Sequence, residues 1–214
     1  MNLNLHAQER ESRDLAAFTG IRAAEGIDVY VKKGSKHLAE IVASGVSTSS
    51  IITDVSGGTL RIHMREGTYR SRSVKVYVTY VELEKLMASS GANIFTEDII
   101  KSTKMHMSAS SGADIEAKVN CEDISLEASS GGEIVIEGKT KKIQATASSA
   151  GDIDAYRLEA EIANAKASSG ASVKLNVSLE IQANASSGGS IRYRGSPERT
   201  NSNSSSGGSV KKTN

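Results

Sequence analysis

The chain has 214 residues with no Trp, two Phe, six Tyr and 19 Gly, so it can bury a core without disulfides or metals but must pack that core with small and aliphatic side chains. Lys and Arg number 26 against 25 Asp and Glu, which removes the basic field that nucleic acid or an anionic membrane surface would require. The single cysteine, Cys121, excludes an internal disulfide and a thiolate metal cage, and no run approaches the ~20 apolar residues of a membrane-spanning helix.

Residues 1–14 carry no strand signal. Met1 to Gln8 lacks a basic n-region and is too short for a secretory signal, yet it reads like the last residues of one, ending at Ala7. Residues 1–14 are therefore expected to be a signal-peptide remnant and flexible leader. Over residues 15–85, three segments alternate apolar and polar residues: Ile27 to Val31, Thr59 to Met64 and Val74 to Val78. Longer connections, Val46 to Ser50 and Arg65 to Ser73, separate them. This portion is expected to be β-rich and less regular, either wider coils continuing a solenoid or a sandwich-like cap that shields its edge.

Residues 86–195 are a repeat. Ala-Ser-Ser-Gly or a near variant begins at Ala88, Ala109, Ala128, Ala147, Ala167, Ala185 and Ser204, in steps of 21, 19, 19, 20, 18 and 19 residues. The fourth copy, Ala147-Ser148-Ser149-Ala150-Gly151, displaces its glycine by one. Six residues after each first position stand Ile94, Ile115, Ile134, Ile153, Val173 and Ile191, all β-branched. Two residues before it stand Leu86, Met107, Leu126, Ala145, Ala165 and Ala183, and four before it, Met105, Ile124, Ile143, Ala163 and Ile181, with Glu84 the exception. Polar residues such as Ser125, Gln144, Thr146 and Asn184 lie between these columns, as expected of strands with one face in water. A ~19-residue unit is too short for a hairpin plus a helix, so the copies should stack as the coils of an all-β, single-stranded, right-handed parallel β-helix rising about 34 Å over seven turns. Gly91, Gly112, Gly131, Gly170 and Gly188 should take positive φ at a sharp corner, with the paired serines stacked beside it as hydroxyl ladders. Residues 196–214, rich in Ser, Asn and Gly after Pro197, should be a tail or a weak last coil.

Chemistry is sparse. Asp114, Glu133 and Asp152 would stack as carboxylates about 4.8 Å apart, a spacing that calcium could use, although Asn93, Ser172 and Ser190 in the same column are uncharged. His6, His37, His63 and His106 have no metal-type spacing. No Ser lies in a nucleophile elbow. Arg157 beside Tyr156, near Asp152 and Asp154, is the best catalytic cluster available, and it lacks the aromatic-lined cleft of a polysaccharide-active enzyme. No catalytic, cofactor-binding or metal-binding residue is therefore assigned, and no cofactor.

Phe18-Thr19-Gly20-Ile21, Gly26 to Val31, Gly58 to Ile62, the Val74-Val76-Val78 strand and Leu83-Glu84-Lys85-Leu86 leading into Ser89-Ser90-Gly91-Ala92 occur in an order that resembles the bacterial, Bacteroidetes-type family of auto-transporter adhesins with a head GIN domain. The likeness covers Phe18 to Arg194. It implies a non-enzymatic β-helical protein exported to the periplasm, outer-membrane surface or exterior, binding a surface glycan, protein or envelope component through the side of the helix. A polymerising scaffold of bactofilin type and a polysaccharide-active β-helix enzyme are the alternatives. Nucleic acid is not expected as a partner, and a homo-oligomer through the flat sides is allowed without being demanded.

Overall fold

The computed structural model describes residues 8–69 and 72–213. Its regular core is a stack of parallel coils, best seen in the strands β8 (Lys85–Ala88), β9 (Asn93–Thr96), β10 (Ile100–Ser110), β11 (Asp114–Ser129), β12 (Glu133–Ala147), β13 (Asp152–Ala167), β14 (Ser172–Ala185) and β15 (Ser190–Arg194). Strand β11 shows how a coil closes. Ile115, Ala117, Val119 and Cys121 point inward, two successive residues, Glu122 and Asp123, face outward at a gentle bend, and the inward parity resumes at Ile124, Leu126 and Ala128. From β11 to β14 each coil is one continuous strand between serine corners.

The columns read from sequence are residue-on-residue pairs. Ile94, Ile115, Ile134, Ile153, Val173 and Ile191 follow one another in register, and each is fully shielded from solvent. Val29 and Val76 extend the column at one end and Val210 at the other. Fully burying such a side chain contributes about 1.5–3 kcal/mol, so the ladder supplies a large share of the solenoid's stability. The alanines at 88, 109, 128, 147, 167 and 185 are buried beside the corner.

Each corner holds two successive residues at positive φ, as in a type I′ turn. Ser111 and Gly112 have φ of 55° and 68°, Ser130 and Gly131 51° and 72°. The predicted glycines hold the second position, and the serine before each is left-handed as well. Main-chain bonds tie successive corners: Gly112 N–H donates to Ser130 O at 3.2 Å and Gly131 N–H to Ser149 O at 3.2 Å. A backbone ladder thus does the joining expected of serine hydroxyls. In the fourth copy the turn keeps its shape, so Ala150 is forced to φ 60° while Gly151 takes the following place. Ala150→Gly reproduces the Ser-Gly-Gly corner of Ser130–Gly132 and should stabilise the protein by about 0.5–1 kcal/mol, because relief of left-handed strain exceeds the entropic cost of glycine. A Tm raised by about 2 °C would register it.

The N-terminal portion is less regular than the repeat, with two parallel coils and three antiparallel strands. Strands β2 (Gly20–Ala23) and β3 (Asp28–Lys33) make one coil, and β6 (Thr59–Met64) and β7 (Ser73–Tyr80) make another. β2 lies between β6 and β8, and β3 between β7 and β9, all parallel, so the later coil in sequence is the outer one in space. Antiparallel strands finish this end: β4 (Leu38–Ser44) on β7, β5 (Ile51–Ser56) on β6, and β1 (Glu9–Asp14) on β4. The expected flexible leader is corrected over residues 9–14, which form β1. Arg13 fixes that strand, donating to Ile51 O at 2.7 Å, Thr53 Oγ1 at 2.9 Å and Thr48 O at 3.0 Å while Glu11 grips it with two bonds of 2.8 Å. Arg13 holds the Glu11 carboxyl down to about 2. The signal-like stretch Met1 to Ala7 lies outside the described residues.

At the other end, β16 (Arg199–Ser204) and β17 (Ser209–Lys212) form a last coil in register with β14 and β15. Its inward columns carry Thr200, Ser202 and Ser204, all exposed. Polar residues there let the stack end in water.

Candidate functional site

The longest uninterrupted feature is one outer wall. Strands β1, β4, β7, β3, β9, β11, β12, β13, β14, β15 and β17 lie side by side, spanning about 48 Å at the strand spacing. Because side chains alternate, the same outward position recurs on every strand and forms rows along the axis. One row begins with Ser12, Glu40, Tyr77, Tyr30 and Phe95, passes through Glu116, Val135 and Asp154, and ends with Lys174, Arg192 and Lys211. The wall is thus divided into aromatic, acidic and basic tiers.

The aromatic tier was missed by scanning the repeat region alone. Tyr30 and Tyr77 stack at 5.1 Å between ring centroids and 18° between planes, and Tyr30 and Phe95 at 5.2 Å and 23°. Lys75 Nζ stands 5.9 Å from the Tyr30 ring centre. The signal was present in the matching triplets Val29-Tyr30-Val31 and Val76-Tyr77-Val78 and in Ile94-Phe95, but joining them required the spatial order of the coils.

Asp114, Glu133 and Asp152 do fall on adjacent strands in register. Lys174 supplies their counter-charge, at 3.0 Å from Asp154 Oδ2 and 3.8 Å from Asp152 Oδ1. Among the described residues, no group of three or more acidic, histidine or cysteine side chains is placed to hold a metal ion. Burial, followed by the charges of Asp152 and Asp114, pushes the Glu133 carboxyl upward. Burial works to lower Lys174, but its bond to Asp154 and the charges of Asp152, Asp154 and Glu133 outweigh this and raise it. A carboxyl raised on folding costs stability as pH climbs from its unfolded to its folded pKa. Glu133→Gln should therefore raise Tm at neutral pH, and the gain should vanish below about pH 4, where both states are protonated.

Arg157 leaves the cluster, while Tyr156 N–H donates to Asp154 Oδ1 at 3.1 Å. Arg157 turns to Glu137 at 3.4 Å, and Asp152 and Asp154 engage Lys174. Tyr156 is covered by the Arg194 guanidinium 4.8 Å from its ring centre and bonds Thr213 Oγ1 at 3.1 Å. The histidines are equally dispersed: His37 packs on Phe18 with ring centres 4.6 Å apart, His63 bonds Met64 O at 2.9 Å, and His106 lies on β10. His6 is outside the described residues. Cys121 is buried against Thr140, and burial pushes its thiol pKa upward, which disfavours the reactive thiolate.

Residues 17–197 match the model of the family described as "Putative auto-transporter adhesin, head GIN domain". The chain belongs to this family. No curated protein matches the chain significantly. Solved structures share its fold: a "putative adhesin" of Bacteroides fragilis is similar at TM-score 0.87 and 16% identity, with 97% of each chain covered. A "putative adhesin" of Parabacteroides distasonis is similar at TM-score 0.75 and 15% identity, with 98% of each chain covered. A protein of the same species described as a "putative lipid binding protein" is similar at TM-score 0.73 and 18% identity, with 97% of each chain covered. At such identities the likeness is one of fold. The auto-transporter head family and the solenoid fold agree with what the residues implied.

Proposed function

We propose that this member of the head GIN family is a non-enzymatic adhesin, exported to the cell envelope, that engages its ligand through the eleven-strand side wall. The observation carrying this reading is the contrast between the side and the ends. The wall runs the length of the stack, whereas the last strand at one end is the charged, antiparallel β1 and the coil at the other end carries Thr200, Ser202 and Ser204 in its core columns. End-to-end polymerisation, as in a bactofilin-type scaffold, would instead need apolar, unblocked terminal coils.

Cell fractionation with surface protease shaving, together with adherence of protein-coated beads to epithelial cells, tests the proposal. Envelope recovery, bead adherence and a single small sedimenting species are expected. Cytoplasmic recovery with pelletable filaments would contradict it.

A further inference from the structure

We propose that the Tyr77–Tyr30–Phe95 tier is a carbohydrate-binding site that takes an uncharged, unbranched hexose chain laid along the solenoid axis. This inference rests on the side-wall reading and names the ligand class for it.

Three of the chain's two Phe and six Tyr stand in this one outward row. Tyr30 is stacked on both sides, so the ring faces left without an aromatic neighbour are the outer ones of Tyr77 and Phe95. The C–H face of a pyranose is the complement of such a surface, because its weakly positive hydrogens meet the negative face of the ring.

Polar groups for the hydroxyls flank the same row. Glu40 and Glu116 stand at its two ends in direct register. Beside it, Asn93 Nδ2 donates to Asp28 Oδ1 at 2.8 Å, which fixes both side chains and leaves their other oxygens able to accept. A depression adjoins each end of the tier, one between Tyr77, Glu40 and Lys75, the other between Phe95, Glu116 and Arg157. Depressions in line along one wall suit an extended chain rather than a compact ligand.

Charge selects an uncharged sugar. Arg10 and Lys75 in one depression are matched by Glu11 and Glu40, and Lys118 and Arg157 in the other by Glu116 and Glu137, so the tier offers a polyanion no continuous cationic stretch. Its aromatic centre gives a polycation no continuous acidic track either.

A purely structural role is the competing explanation, since aromatic pairs across strands also stabilise sheets. The two are separable by titrating the full chain, by calorimetry and ligand-observed NMR, with tetrasaccharides of β-1,4-glucose, β-1,4-mannose and α-1,4-glucose. At least one should bind, with Kd of order 0.1–1 mM for so open a site. Tyr77→Ala and Phe95→Ala, each verified as folded by circular dichroism, should weaken that binding at least tenfold. Tyr77→Phe, which keeps the ring, and Glu133→Gln, further along the wall, should leave it within about threefold. Failure of all three sugars to bind, or binding indifferent to both alanine variants, overturns the proposal. Bead adherence that survives Tyr77→Ala and periodate oxidation of the target surface would also overturn it while leaving side-wall adhesion standing. Loss of adherence by the unaltered protein would instead remove the adhesin reading itself.

Discussion

Ile134→Asp is expected to abolish cooperative folding of the central coils. Ile134 is fully buried between Ile115 and Ile153, so the substitution loses an aliphatic worth about 1.5–3 kcal/mol and places a carboxylate where no partner exists. Even protonated to the neutral acid, a buried carboxyl without a hydrogen-bond partner costs several kcal/mol more. Together these approach the 5–15 kcal/mol that holds a typical domain folded. Because each coil of a solenoid touches only its neighbours, the damage should divide the stack into two weakly coupled parts. Limited proteolysis should cut between β11 and β13, and the melting transition should broaden and fall. Ile134→Val, which removes one methylene, should cost only about 1 kcal/mol.

Gly138→Ala should destabilise the protein by about 3–5 kcal/mol, lowering Tm by roughly 10 °C. Gly138 has φ of 123°, a region that only glycine enters without strain. An added Cβ would collide with the carbonyl oxygen of Val119 in the preceding coil and lie 2.9 Å from its carbon. Neither backbone can retreat without breaking the ladder that pairs Val119 with Gly138. Gly131→Ala is the informative control. Its φ of 72° is also left-handed, but nothing lies within 4 Å of the new methyl group, so the cost should be only about 1 kcal/mol. Thermal melts of the two variants separate close approach from conformational strain.

The repeat made the fold legible because each inward position recurs once per coil. Aligning copies on the first alanine placed Ile115 on Ile134 and Ile134 on Ile153, and the register agrees. Where the recurrence stops, so did the reading. The stack order of β2–β3 and β6–β7 depends on the excursion through β4 and β5, and no local pattern states that the chain returns to the outer side. Strand β1 was invisible because Glu-Arg-Glu-Ser-Arg-Asp has no apolar alternation, its place being set by the tertiary contacts of Arg13 with β5. Gly138 sits in a column with Val119 and Leu158, and only the approach of the neighbouring coil explains it.

The candidate site was partly legible for the same reason. The acidic column was readable by counting from the alanines. Its counter-ion Lys174 belongs to the outward position two residues further along the strand, so column counting did not bring the two together. The aromatic tier joins coils with and without the tetrad, and therefore needed the true neighbours of β3.

The most direct test is a methyl NOE experiment on protein with labelled isoleucine δ1 groups, assigned by single Ile→Val variants. Stacked coils predict cross-peaks from Ile94 to Ile115, Ile115 to Ile134 and Ile134 to Ile153, with a far weaker one from Ile115 to Ile153. If Ile134 instead shows no cross-peak to either neighbour, the coils do not lie over one another, and the side wall with its aromatic tier does not exist.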